Sequence, residues 1–558
     1  MSLMPTGFCV GRRGGYPKVE RHGGTFPTKS DLPKQNPMAP EKEQEHEYEY
    51  EHDDEIDQDL LGGPMSASEI KMEAEIQQAL RRMQEAGCVF ADARFYVDDS
   101  RETLFLYDGN PEENSATQER GLGVRVLFDG AWGFAATADL GAVSLCFDRA
   151  LANSHAAARL PGFRKDPGVA RPTRGSYISP VVREPQEVPL AEKLALVRSI
   201  DEELQASHVA HRFVMVQFQH FHVCYWNSEG SVVERRLINA FAIMCVMAPD
   251  QLGRLQRRSY NLCGTGKGTR GYESFAAPEA FLAHTTRVKE ELALLLAAEP
   301  LTPGCRDVIL LPGQGYLQVH ETIGHALELD RILGYELSFA GGSHVRPEMI
   351  GTLSYGSEKL NCQAGVTPNS PGTFGFDDEG TPQRDYPLIR QGLLVGVLSS
   401  RAELAEANAA AGREVVKESG SAARACAFYR PPIDRMTNIN ILPGTDGTLD
   451  DVIAATEDGV ILDEPTSWSI GSNREHFHFG CEIAWEVKDG VRTRVLKNPS
   501  YHGHTLPFWH ALDLVGDEST WSLQQVANCG KGEPNQIMQV GHGVPVMRFC
   551  GVDTGENG

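Results

Sequence analysis

The stretch "LQVHETIGHALELD", residues 317–330, holds three side chains with the chemistry of a catalytic metal site: His320, Glu321 and His325. Imidazoles are ligands for a divalent transition ion, and a carboxylate beside one of them can take a proton from an ion-activated water. The familiar zinc-peptidase helix reads His-Glu-x-x-His, whereas this one reads His-Glu-x-x-x-His. On a regular helix, residues five apart point ~140° away from each other, too far round to share one ion. A π-type turn over Thr322–Gly324 absorbs the extra residue and restores a common face, and Gly324 lowers its cost. Glu321 then faces the open ligand position and Ile323 packs inward. The competing reading is an amphipathic helix with two unconnected histidines, its apolar face made by Val319, Ile323 and Leu327.

A catalytic site needs a third ligand, and spacing leaves three candidates. Cys481 follows "HFHFGC", where His476 and His478 share one strand face and are a possible metal pair themselves. Cys529 lies in the loop-like "VANCGKGEP", and His344 in "GGSHVRP" is near in sequence.

Around these residues the chain reads as α+β. Met72, Ile76, Leu80 and Met83 recur at three- and four-residue steps, predicting a helix after an N-cap at Ser68 and before a stop at Gly87. "ETLFLYDG", "LGVRVLFDG" and "AWGFAAT" read as strands, and "AVSLCFDRALANSHAAA" as a helix. Residues 63–160 are thus expected as a first α/β unit. Residues 161–187 are a Pro/Gly/Arg-rich connector. Residues 188–300 form a second α/β unit, with "HRFVMVQFQHFHVCYWN" and "VVERRLINAFAIMCVMA" as a long antiparallel hairpin turning at "SEG". Residues 301–558 are expected to hold the metal-binding helix and a β-rich C-terminal domain. "CGTGKGTRG", residues 263–271, is not a Walker A loop, because Asn261 stands at the first Gly position and Gly268 follows Lys267.

A chain of 558 residues suits two to four domains. Its net charge of −24 argues against nucleic acid or an anionic membrane as the main partner. Part of that charge is local: residues 41–60 are more than half Asp and Glu, and residues 1–62 read as a disordered acidic leader. Met65, just after the Gly-Gly-Pro break, is an alternative start. No run of about 18 apolar residues predicts a membrane span, and no apolar segment follows the basic N-terminus as a secretory signal requires. The 12 cysteines are scattered, as expected of reduced thiols in the cytoplasm.

Several segments together resemble the TldD/PmbA family of metallopeptidases, specifically its catalytic TldD-like branch. They are "VHETIGHALELD", "FGFDDEGTPQRDYPLIRQGLLVGVLSS", "PPIDRMTNINILPGTDGTLDDVIAATEDGVIL" and "NCGKGEPNQIMQVGHGVPVMRF", in family order. "CGTGKGTRG" resembles the family's glycine-rich turn before a Gly-Tyr-Glu segment. By this resemblance His320 and His325 match the two histidine ligands, Cys529 the third, and Glu321 the catalytic glutamate. Cys481 falls where no ligand is expected. His476 and His478 depart from the family and read as strand residues near the substrate groove. Asp330 is a candidate to orient a histidine. The resemblance implies Zn2+ and hydrolysis of small or unfolded peptides by a zinc-activated water, with Glu321 as general base. It further implies a homodimer, or a heterodimer with a paralogue lacking the metal motif. Asp378, Glu379, Tyr429 and Arg435 lie in family segments and are candidates for peptide binding, with turn and hairpin chemistry as the alternative. The rival function is a non-catalytic subunit that binds peptide or partner. A zinc-stabilised structural protein would have no use for Glu321.

Overall fold

The computed structural model describes residues 67–168, 170–262, 270–276 and 278–557. The acidic leader, Met65 and residues 263–269 of the glycine-rich stretch lie outside the described residues. The first helix, α1 (Ala67–Glu85), includes Ser68, so Ser68 does not cap it. Met72, Ile76, Leu80 and Met83 are all buried, as their spacing predicts.

The N-terminal half is organised by one antiparallel meander. Strand β1 (Phe90–Tyr107) turns through Asp108 and Gly109 into β2 (Asn110–Phe128), which turns through Asp129 and Gly130 into β3 (Ala131–Thr137). All four turn residues have positive φ, which is why Asp-Gly occupies both tight hairpins. The stretch 161–187 contributes β4 (Arg174–Ile178). The long hairpin is β5 (His211–Asn227) and β6 (Val232–Pro249), followed by β7 (Leu255–Leu262). These strands form one seven-stranded sheet in the order β3-β2-β1-β5-β6-β4, with β7 also paired to β6. Because β1 pairs with β5, the sheet runs without a break through the stretches 63–160 and 188–300. Helices α1 and α2 (Val143–Ala157) cover one hydrophobic cluster, around Phe95, Val124 and Phe147. Helices α3 (Leu190–Glu203) and α4 (Pro278–Ala297) cover a second, around Val197, Val216 and Leu292.

The C-terminal half opens with β8 (Gly304–Leu310) and α5 (Pro312–Val319), the helix leading into the His-Glu segment. Its other principal strands are β9 (Cys362–Gly365), β10 (Tyr386–Arg390), β11 (Asn438–Ile441), β12 (Asp458–Ile470), β13 (His476–Lys488), β14 (Pro499–His504), β15 (Ser522–Lys531), β16 (Gln536–Val544) and β17 (Met547–Glu556). One sheet runs β10-β9-β11-β16-β15, with β15 at its edge. In the other, β12-β8-β17-β14-β13 closes on itself, because β13 pairs back to β12. Closure leaves these five strands no open edge. The largest hydrophobic cluster lies here and includes Val319, Ile323 and Leu327 of the metal-helix segment.

Buried arginines join the halves. Arg235 reaches Asp378 at 2.5 Å, Arg125 reaches Glu379 at 3.1 Å, and Arg258 bridges Glu291, Asp463 and Glu482. No described helix is long and apolar enough to cross a membrane.

Candidate metal centre

Helix α5 starts on Pro312, whose missing N–H costs nothing at a first helical position. It ends at Val319, and His320–Gly324 form one π-helical turn. The His325 N–H donates to the His320 carbonyl, five residues back instead of four. The chain then tightens through a 3₁₀ turn, His325–Leu327. The result is the one the spacing requires: the His320 and His325 rings lie 4.8 Å apart.

Neighbouring side chains hold the turn. Tyr355 Oη donates to the Thr322 carbonyl, and Trp509 Nε1 donates to Thr322 Oγ1 at 2.9 Å. Thr322 Oγ1 in turn donates to the Gln318 carbonyl at 2.5 Å. Gly324 has an ordinary helical φ of −54°. Its role is steric, since a Cβ there would stand 2.2 Å from Met436 Sδ. Ile323 is fully buried.

The third donor comes from β15. An irregularity between Val526 and Cys529 shifts the register against β16, and Cys529 is buried beside the histidines. Ligand atoms of His320, His325 and Cys529 all lie within 4.8 Å of one another. Cys529 Sγ is 3.6 Å from His325 Nε2. Sulfur and nitrogen ligands of one tetrahedral zinc, at their usual bond lengths, stand ~3.5 Å apart. The donor set and this spacing fit zinc. Glu321 is 8% exposed, and its carboxylate makes no hydrogen bond or ion pair among the described residues.

Each donor has an orienting partner. Burial opposes the Cys529 thiolate, yet Arg435, donating to Sγ at 3.1 Å, and His325 hold the thiol below the ordinary cysteine range. His325 Nδ1 lies 2.9 Å from Glu328 Oε2. Burial would raise the Glu328 carboxyl, but Lys531, His325 and Arg331 together hold it well below the usual range. His320 Nδ1 lies 2.8 Å from His542 Nε2. Burial keeps the His320 imidazole below its usual range, and burial and the facing His320 push His542 further down. His320 and His542 are therefore neutral near pH 7, as ligation through an imidazole nitrogen requires.

Residues 303–556 match the model of the PmbA/TldA metallopeptidase C-terminal domain, and residues 91–154 match that of domain 1. The chain belongs to the PmbA/TldA metallopeptidase family. A metalloprotease of Methanothermobacter thermautotrophicus is 26% identical over 450 residues, covering 80% of this chain and 91% of the relative. A zinc metalloprotease TldD homolog of Saccharolobus solfataricus is 24% identical over 241 residues, covering 43% and 49%. The crystal structure of TldE from Thermococcus kodakarensis shares the fold, with a TM-score of 0.62 at 15% identity, covering 86% of this chain and 99% of that one.

Within this PmbA/TldA metallopeptidase, the other residues singled out from sequence take varied positions. Cys481 is buried in the core, and His344 is bonded to the Asn473 carbonyl. Asp330 does not orient a histidine. Glu328 does so, while Asp330 pairs with Lys531 at 2.5 Å. The guanidinium of Arg435 is committed to Cys529 and to the Gln536 carbonyl. Asp378 and Glu379 are committed to Arg235 and Arg125, so both act as staples between the halves. Asp378 also lines a cavity of about 240 Å³ with Tyr96, Arg101, Gln217, Arg424 and Asn528, the last adjacent to Cys529. Tyr429 is 42% exposed and packs edge-on to Phe428. His476 and His478 lie on the outer face of β13.

Lys531 connects the two strands of chemistry. Its ammonium is fully buried and meets Glu328 at 3.3 Å, Asp330 at 2.5 Å and the Asp434 carbonyl. Lys531→Met leaves two buried carboxylates short of their cation, and an expected loss of about 3–5 kcal/mol follows. Urea unfolding checks it: a midpoint within error of wild type would refute the role of this network.

Proposed function

We propose that the chain is a zinc-dependent peptidase acting on small or unfolded peptides. The observation that carries this reading is the meeting of two imidazoles and a depressed thiol, with an unpaired carboxylate one residue from the first imidazole. His320, His325 and Cys529 would hold the ion, leaving a fourth position open. When bound, zinc supplies an acidified water and polarises a carbonyl. Glu321 takes the proton of the attacking water on its carboxylate and returns it to the departing amine nitrogen. Arg435 favours the thiolate of Cys529 by donating to Sγ, Glu328 fixes the His325 ring through Nδ1, and His542 meets the His320 ring at Nδ1. The cavity beside Asn528 is where the peptide would lie, with Asp378 in its lining and the exposed Tyr429 as a further contact. The partner is a second copy or a paralogue without the metal motif. A cytoplasmic location agrees with the ten free cysteines among the described residues.

The test is direct. The zinc-loaded full chain, alone and with such a paralogue, is incubated with unstructured peptides, and products are read by mass spectrometry. Cleavage that stops on chelation and returns with zinc is expected. Stable zinc binding without cleavage in either setting would favour the non-catalytic binding subunit.

A further inference from the structure

His476 and His478 are half of a larger arrangement. On β14, His502 and His504 lie in register with them: His478 opposite His502, and His476 opposite His504. Side chains two residues apart on a strand share a face, as do cross-strand partners. All four imidazoles therefore project from one side of the sheet, and all four are exposed.

The opposite side is rigid. Phe477, Phe479 and Tyr501 alternate with the histidines and are buried. Their rings pack together, with 4.9 Å between Phe477 and Phe479 and 5.8 Å between Phe479 and Tyr501. Tyr501 Oη donates to Gln318 Oε1 of α5 at 3.1 Å. The sheet thus turns its inner face to the metal-bearing helix and its histidines outward.

Ring separations decide what the patch can do. Two imidazoles binding one ion through nitrogens at about 2.0–2.1 Å have ring centres roughly 5 Å apart at a tetrahedral angle, widening to roughly 6 Å as the angle opens. His478 and His502 are 5.6 Å apart, and His476 and His504 are 6.1 Å apart. The first pair is within that span before any side chain moves, and the second sits at its upper edge. Carboxylates flank them. Asp553 of β17 is the register partner of His502 on its other side and is exposed on the same face. Glu475 Oε1 lies 3.2 Å from His476 Nδ1, which leaves Nε2 of that ring outward. Partial burial and the facing His502 hold His478 below the ordinary histidine range, so it is a free base near neutral pH.

We propose that this outer face is a second metal site, with His478 and His502 as its main ligands and Asp553 beside them. It takes a borderline divalent ion of the Zn2+, Ni2+ or Cu2+ class, for which imidazole is the suited donor. Hard ions such as Mg2+ and Ca2+, which take oxygen ligands, are not expected there. The site is separate from the His320–His325–Cys529 centre and does not depend on the activity assigned to that centre.

The experiment uses the full chain loaded with about one equivalent of Zn2+, so that the outer histidines stay empty, then dialysed against graded Ni2+ alone, with zinc and nickel counted by atomic emission. Wild type is expected to keep its zinc and take up nickel saturably. The double variant His478→Asn, His502→Asn is expected to bind that nickel about tenfold or more weakly, with zinc retained. Asn at two exposed strand positions leaves the core untouched, and retained zinc reports the fold. Nickel uptake equal to wild type in the double variant, no saturable uptake by wild type, or entry only by displacing zinc would each overturn the proposal.

Discussion

Glu321→Gln is expected to lower peptide hydrolysis by about 10²–10⁴-fold while leaving bound zinc unchanged. The amide keeps the size of the carboxylate but cannot accept a proton. Glu321 is not among the three donors that converge, so the ion should stay. The carboxylate has no hydrogen-bond partner among the described residues, so replacing it breaks no hydrogen bond, only its electrostatic interaction with His320 and Arg474, and folding should be preserved. The loss should fall on kcat, because the missing step is proton transfer. Zinc content and kcat measured on one preparation separate the readings. Full activity in Glu321→Gln would remove this residue from the chemistry. Loss of zinc together with activity would make it a ligand instead of a base.

Cys529→Ala is expected to release zinc by more than about 100-fold in affinity, since loss of an outer partner alone costs ~10–100-fold. Activity would fall with it. Burial works against a thiolate here, but Arg435 and His325 outweigh it, so the thiol gives up its proton to an incoming ion more readily than an ordinary cysteine. The variant also leaves Arg435 without its sulfur acceptor, although its bonds to the Cys529 and Gln536 carbonyls persist. Zinc affinity of the wild type should fall as pH drops, because protons compete for the thiolate and both imidazoles. The alanine variant should show a shallower pH dependence, having one fewer site for that competition. Competition with a chromophoric chelator measures both. Unchanged affinity in Cys529→Ala, with loss in Cys481→Ala, would move the third ligand to a residue that is buried in the core.

The sequence expressed local features well. The Asp-Gly hairpins, the apolar stripe of α1 and the long β5–β6 hairpin each depend on residues close together in the chain. The π-turn was deducible because one extra residue between two ligands leaves few geometries. Long-range partners were not accessible in the same way. His542 touches His320 across 222 positions, and nothing in "VGHGVP" marks it as facing a metal ligand. Arg125 and Glu379 are 254 positions apart, so nothing local in the Asp-Asp-Glu segment marked the ion pairs it makes. Glu328, not singled out from sequence, meets His325 because the chain leaves the 3₁₀ turn at that residue.

Lys531 sits two residues from Cys529, and its buried ammonium ties the β15–β16 hairpin to the segment that carries His325. Separating the hairpin from the helix would strand charges in an apolar interior, so the donors are assembled before any ion arrives. Loading is then a docking event and not a folding event, unlike in small zinc modules whose chains are shapeless until metal binds. A chelator should therefore yield an ordered, reloadable protein. An already shaped pocket also discriminates weakly between ions of similar size and donor preference, so cobalt can stand in for zinc.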